Sequence, residues 1–280
     1  MKYCVLYNPF SGNGHGKEYA EKLKDILKEE LEFINMSDIK DFNNFFVNMK
    51  RDIIICGGDG TLNYFINHTS DIDYKNNILY YTTGTGNDFY NDIGDKNTFP
   101  FNIDKYLKNL PIVTVKGKSY YFLNGVGYGI DGYCCEEGDK IKEKSSKPVN
   151  YTSIAIKGLL FKYKPTNAKI TVDGKEYNFE KVWLAPTMNG RFYGGGMMVA
   201  PNQNRLNEEH EVTTVIMHGK GKLSTLIAFP SIFTGKHIEK ENMIKVLTGH
   251  NIKVEFDRPT ALQIDGETIK DVTEYTVKTQ

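Results

Sequence analysis

The sequence predicts an α/β domain built on a parallel sheet, followed by an antiparallel β domain. Short apolar runs at residues 3–7, 52–56 and 78–82 each end in a glycine-containing loop, and helical periodicity follows the first two loops. Beyond about residue 112 the pattern changes to short β-rich segments broken by turn signals. With 280 residues the chain can bury a full core, and it divides at that change into residues 1–112 and 113–280.

The first run, Tyr3-Cys4-Val5-Leu6-Tyr7, leads into the turn-rich Asn8-Pro9-Phe10-Ser11-Gly12-Asn13-Gly14. Over residues 17–31, Tyr19, Leu23, Ile26, Leu27 and Leu31 recur at helical spacing. Asp52-Ile53-Ile54-Ile55-Cys56 has the β-branched content of a buried strand, Gly57-Gly58-Asp59-Gly60-Thr61 forms the next loop, and a helix is expected from residue 62 to 67. Residues 78–82 then enter Thr83-Gly84-Thr85-Gly86-Asn87-Asp88. Three such transitions imply that the carboxyl edge of the sheet carries the ligand. In the second half, strands are expected at 112–115, 119–124, 168–172, 175–179, 182–186, 212–217, 251–256 and 275–277, with a hairpin turn at Asp173-Gly174. Helices are expected at 150–161 and 223–233. The segment from Asn189 to Gly196 is too dense in glycine for a strand and reads as a flexible loop.

Lys plus Arg and Asp plus Glu both number 35, so no overall basic field points to nucleic acid as the main partner. The opening Met-Lys-Tyr-Cys-Val-Leu-Tyr is too short an apolar run for a signal-peptide core, and no stretch reaches the ~18 apolar residues of a membrane span. A cytoplasmic protein is expected. The four Cys have no zinc spacing and suggest no disulfide framework, and the six His and Trp183 fall in no ligand or triad pattern.

A loop that holds phosphates needs inward-pointing N–H groups with no side chain in the way, and Gly57, Gly58 and Gly60 supply such positions ahead of a helix N-terminus. Asp59 would repel polyphosphate unless a cation intervenes, which implies Mg²⁺ held directly or through water. Thr61 can cap the helix or donate to a phosphate oxygen. The alternative is a plain strand-to-helix turn.

Gly57-Gly58-Asp59-Gly60-Thr61-Leu62-Asn63 resembles the signature of the diacylglycerol kinase catalytic domain family, which includes bacterial lipid kinases and sphingosine kinases. Asn8-Pro9-Phe10-Ser11-Gly12 is similar to that family's first nucleotide loop and Gly84-Thr85-Gly86-Asn87-Asp88-Phe89 to its third. Asn124-Gly125-Val126-Gly127-Tyr128-Gly129-Ile130-Asp131, Gly194-Gly195-Gly196-Met197, Ala200-Pro201 and Gln263-Ile264-Asp265-Gly266-Glu267 follow in the family's order. The resemblance implies a Rossmann-like nucleotide domain with a parallel sheet over residues 1–112. It also implies an antiparallel β-sandwich lipid-substrate domain over residues 113–280, and an active site in the cleft between the two.

It further implies ATP-dependent phosphorylation of a lipid hydroxyl, as on diacylglycerol, with ATP contacts from Asn8, Pro9, Ser11, Gly12, Gly57, Gly58, Asp59, Gly60, Thr61, Leu62, Asn63 and Thr85. Asp59 and Asp88 would join the Mg²⁺ and water network, Lys147 would reach the phosphates, and Glu267 would accept the proton of the lipid hydroxyl. The residues also admit plainer readings, Asn87-Asp88 as a helix cap and, favoured when the family is set aside, Asp265-Gly266 as a hairpin turn with Glu267 solvated. Lys140, Lys142, Lys144 and Lys147 beside Ile154, Ile156, Leu159, Leu160 and Phe161 suggest either peripheral contact with the inner face of a membrane or a core helix with lysine ends. An exposed sheet edge in the second domain could pair two copies into a homodimer.

The match departs at Asn13, where the family often has Lys, and at Leu206-Asn207-Glu208-Glu209-His210-Glu211. In that register the family's structural Mg²⁺ loop has a Gly and a further carboxylate. Two other readings share the nucleotide loop: a soluble-metabolite kinase of the NAD kinase type, and a lipid-binding module without turnover.

Overall fold

The strands at residues 3–7, 52–56 and 78–82 form as the sequence predicts and lie side by side. The computed structural model of the chain describes residues 2–84, 86–93, 99–144 and 149–280, and omits the side chains of residues 13 and 152. Thr85 and Lys147, two of the expected site residues, lie outside the described residues. The chain divides into two compact units, Met1–Lys108 and Asn109–Gln280.

In the first unit, β1 (Tyr3–Tyr7), β2 (Leu31–Asn35), β3 (Asp52–Gly57) and β4 (Ile78–Thr82) are parallel, and β5 (Phe101–Asn102) closes one edge antiparallel. The order is β2-β1-β3-β4-β5. Ile53, Ile54, Ile55 and Cys56 are fully buried, as a strand covered on both faces requires.

The helix expected over 17–31 is instead three short pieces, α1 (Ser11–Gly14), α2 (Gly16–Glu21) and α3 (Leu23–Leu27). Lys28 turns left-handed at φ 53° and ends α3, so Leu31 begins β2 instead of adding a helical turn. An apolar residue four positions after Leu27 satisfies both periodicities, which is why spacing alone misplaced it. A further helix, α4 (Phe42–Asn48), has the Asp41 side chain accepting from Asn44 N at 3.1 Å. The helix after the second glycine loop, α5 (Asp59–Thr69), opens at Asp59, earlier than residue 62, so only Gly58 separates it from β3. The helix α6 (Asp88–Ile93) follows the third loop.

The second unit is a largely antiparallel network of ten strands. These are β6 (Ile112–Val115), β7 (Lys118–Tyr121), β8 (Gly125–Tyr128), β9 (Thr166–Val172), β10 (Lys175–Val182), β11 (Thr187–Met188), β14 (Val212–Met217), β15 (Ile244–Gly249), β16 (Asn251–Ile264) and β17 (Glu267–Lys278). The main path runs β15-β14-β11-β8-β16-β17-β6-β7, with β9 and β10 attached to β16. β16 is much longer than the expected 251–256. It pairs with β9 through Ile252–Phe256 and with β8 through Leu262–Ile264, and its register shifts between Glu255 and Leu262. That irregular stretch, which contains Pro259, bends one strand into two pairings. One apolar cluster therefore gathers Val113, Val126, Ile170, Ile216, Val254 and Tyr275 from six strands.

The glycine-dense segment forms a small hairpin, β12 (Phe192–Tyr193) against β13 (Met197–Met198), with Gly194, Gly195 and Gly196 in the turn. The 182–186 run contributes only the end of β10 and a bridge at Leu184.

An unexpected helix, α7 (Ile130–Lys142), follows Gly129 at φ 113°. Its Lys140 pairs with Glu136 at 3.0 Å and Glu137 at 2.7 Å, and Lys142 with Asp139 at 3.4 Å, so these lysines serve their own helix. The helix α8 (Tyr151–Lys157) starts at Asn150, whose side chain accepts from Ser153 N at 2.8 Å, and passes into a π-turn over Gly158–Lys162. The last helix, α9 (Lys222–Ala228), continues as a 3₁₀ segment, Phe229–Thr234. No helix among the described residues is long and apolar enough to cross a membrane.

Gly132 presses α7 onto β16, where an added Cβ would run into the backbone carbonyl of Ala261. Gly132→Ala should therefore lower the unfolding free energy by about 1–3 kcal/mol in a urea titration; an unchanged midpoint would show that α7 can lift away at no cost.

Candidate functional site

In the first unit the loops after β1, β3 and β4 leave adjacent carboxyl ends of the sheet, and strand order reverses between β1 and β3. The first loop is held by Asn8. Its carbonyl accepts from Ser11 N at 3.1 Å and Ser11 Oγ at 2.8 Å, and its Oδ1 accepts from Phe10 N at 2.9 Å. Gly12 sits at φ 55° against the Tyr19 ring, where a Cβ would come within 2.5 Å of Cε2.

The second and third loops touch through glycine. A Cβ on Gly84 would lie 2.7 Å from the Gly58 Cα. Asp59 ties the same loops together, with Oδ2 accepting from Asp88 N at 2.9 Å and Oδ1 from Phe89 N at 2.9 Å. Its carboxylate thus stands at the N-terminal end of α6 and favours the local dipole. Asn87 adopts φ 49°, accepts from Thr82 Oγ1 at 2.5 Å and donates to the Gly84 carbonyl at 2.8 Å. Thr61, Leu62, Asn63 and Asp88 are buried. The Thr61 side chain lies against the Gly57 Cα, and Leu62 belongs to the core, so Leu62 can meet a ligand only through its backbone.

Gly60 differs from its neighbours. It has no positive φ, and among the described residues no heavy atom beyond its own helix lies within 4 Å of where its Cβ would be. Glycine at such a helical position costs about 0.5–1 kcal/mol relative to alanine, and neither backbone nor packing demands it. Its bare face is open.

In the second unit, Asp265 and Gly266 at φ 46° and 99° form the tight turn between β16 and β17. Asp265 accepts the N–H groups of Leu123 (2.6 Å), Asn124 (2.8 Å) and Gly125 (3.0 Å), and Gly266 N donates to Gln263 Oε1 at 2.7 Å. The turn is thereby fixed, and Glu267 projects from it exposed to solvent. The hairpin turn expected from the residues is present, with Glu267 solvated at its end.

Asp131, to which the sequence gave no role, is buried in the first turn of α7. Its Oδ2 accepts from Tyr193 Oη at 3.0 Å, and its Oδ1 has no partner among the described residues. Burial pushes its pKa up to about 6. Cys135 nearby is pushed up to about 12, first by burial and then by Asp131 and Asp139, with Glu267 adding to the effect. These acids therefore share one electrostatic neighbourhood. In the sequence it merely follows the apolar run Val126-Gly127-Tyr128-Gly129-Ile130, which does not disclose its burial.

The departing loop at 203–211 is closed by amides. Asn207 Nδ2 donates to Asn204 O at 2.7 Å and Glu211 O at 3.0 Å, and its Oδ1 accepts from Glu211 N at 2.8 Å. Beside it lies a cavity of about 310 Å³, lined in part by Asn202, Gln203, Thr213 and Thr248. No group of three or more His, Cys, Asp and Glu among the described residues could hold a metal alone. Asp59 on the second loop and Asp88 on the third are joined through the Asp88 backbone N–H, and a water-mediated ion at these two residues belongs to the family resemblance.

Residues 2–114 match the sequence model of the diacylglycerol kinase catalytic domain, and residues 124–277 that of the YegS C-terminal NAD kinase beta sandwich-like domain. The chain belongs to the diacylglycerol kinase catalytic domain family. It is 24% identical over 257 residues to a diacylglycerol kinase of Mycobacterium tuberculosis, covering 86% of this chain and 81% of the relative. It is 25% identical over 221 residues to a diacylglycerol kinase of Bacillus subtilis, covering 77% and 70%. The crystal structure of a diacylglycerol kinase from Bacillus anthracis matches 99% of this chain and 93% of that one at a TM-score of 0.63 and 19% identity, a likeness of fold. Membership of this family makes the chain a kinase homologue and accounts for both units in their order.

A carboxyl group whose folded pKa lies above its unfolded value contributes stability that is present below the unfolded value, 3.8 here, and lost as the pH rises through about 6. Asp131→Asn should therefore gain stability relative to the parent by about 1–3 kcal/mol between pH ~4 and ~7, read as the difference in melting temperature across that range. A pH-independent difference would remove Asp131 as the titrating group.

Proposed function

We propose that this protein is a lipid kinase that transfers the γ-phosphoryl group of ATP to the hydroxyl of a lipid such as diacylglycerol. The open face of Gly60 at the start of α5 carries the nucleotide half of this reading, because a phosphate is what a bare helical glycine beside two further glycine loops can admit. The acceptor half rests on the motif resemblance ending at Glu267 and on relatives that are named diacylglycerol kinases.

In the proposed reaction Glu267, exposed on its fixed turn, takes the proton of the lipid hydroxyl as that oxygen forms its bond to the γ-phosphorus. The bond from the γ-phosphorus to the bridging oxygen breaks, and ADP leaves with that electron pair. Asn8, Pro9, Ser11 and Gly12 hold the nucleotide on one side and the 57–63 segment on the other. Asp59 and Asp88 would hold Mg²⁺ through water, and the ion when bound would neutralise phosphate charge. Thr85 and Lys147 are assigned phosphate contacts on the resemblance alone. A lipid acceptor also implies work at a membrane face.

Labelled ATP offered with a panel of lipids in mixed micelles, and with NAD, tests the acceptor. Labelled lipid is expected, and labelled NAD without labelled lipid would sink the reading. Gly60→Leu should leave the melting temperature unchanged or raised and weaken ATP binding by at least roughly tenfold; undiminished affinity would mean the open face is not a phosphate site. Glu267→Ala should abolish turnover and leave ATP affinity near the parent's, and lost affinity would contradict its role as base.

A further inference from the structure

We infer that the exposed face shared by α9 and the π-turn at Gly158–Lys162 docks on an anionic phospholipid bilayer. The helix buries Thr225 and Ala228 and half-buries Leu226, yet Leu223 is 70% and Ile227 72% exposed, one helical turn apart. Phe161 is 75% exposed on the neighbouring turn, and the Lys222 ammonium donates to the Leu160 carbonyl at 3.0 Å, which brings the two segments together.

Charge is segregated around these side chains. Residues 144–172 contain six lysines and no acid, and residues 212–238 contain three lysines and no acid, in a chain whose charges otherwise cancel. The lysines of α7 are paired with their own carboxylates, whereas Lys157, Lys220 and Lys222 lie on the segments that carry Phe161, Leu223 and Ile227, and Lys162 and Lys164 line a pocket beside them with Arg258, Glu136 and Asp271. Large apolar side chains ringed by lysine suit an interface where rings and aliphatic chains enter the headgroup layer and ammonium groups meet lipid phosphate. The apolar patch is only a few side chains, too small for the roughly 1,200–2,000 Å² of a stable protein pair, and that favours a bilayer over a second copy.

The choice of a bilayer rests on the proposed lipid acceptor, but binding itself requires neither ATP nor turnover. The full chain should co-sediment with vesicles containing phosphatidylglycerol, far less with phosphatidylcholine alone, and less as salt rises. The variant Phe161→Ala/Leu223→Ala/Ile227→Ala and, separately, Lys157→Glu/Lys162→Glu should each reduce that partitioning at least roughly tenfold at an unchanged melting temperature. Both should keep parental activity on a short-chain, monomeric diacylglycerol. Parental vesicle binding by both variants would overturn the inference, as would a change in their sedimentation velocity that marks this face as a contact between copies. If the parent binds vesicles but phosphorylates no lipid, the kinase reading falls and the docking surface stands; if it phosphorylates monomeric lipid but ignores vesicles, the reverse holds.

Discussion

Two carboxylates, one in each unit, hold backbone N–H groups, and within each unit the local geometry of the candidate residues follows from them. Asp59 takes the first two N–H groups of α6 and thereby fixes the third loop against the second. Asp265 takes three successive N–H groups from the 123–125 segment and fixes the turn that presents Glu267. A charge-assisted bond to backbone is stronger than a neutral one, and a segment so held needs no rigidity of its own. Each carboxylate thus sets the position of the backbone around it, whatever its own oxygens do in addition.

The parts of the fold legible in the sequence are those where one physical demand dominates. β1, β3 and β4 must be apolar throughout because the sheet is covered, and Gly58 and Gly84 must lack side chains because their Cα atoms touch. Where demands overlap, the pattern is ambiguous. Leu31 fits the helical spacing from Leu27 and also begins an edge strand, and only the left-handed Lys28 decides between them. The helix α7 was hidden because its glycines, Gly132 and Gly138, lower helix propensity, although each is needed for close packing against Ala261 or Tyr151. Asp131 was hidden for a related reason: its chemistry comes from burial, which no local pattern discloses.

The 203–211 loop shows how a departure from family pattern can be structurally neutral. Asn207 supplies both donor and acceptor from a single side chain, so it can close the loop through bonds that a carboxylate, which only accepts, could not make alone. The amide and the lost glycine are therefore consistent with each other.

The pairing of β6 with β17 has a consequence for how the protein comes into being. Thr114 lies opposite Ser119 in the local β6–β7 hairpin and opposite Thr276 on its other side, so one edge of β6 has no partner until the ribosome has delivered nearly everything between them. The parallel unit before it joins strands that lie much closer in sequence and can form while synthesis continues. During that interval the β6–β7 hairpin presents an open edge and the uncovered Val113 and Val115, a state prone to association with other nascent chains. The hazard then lies less in the finished fold than in how long one strand edge must wait.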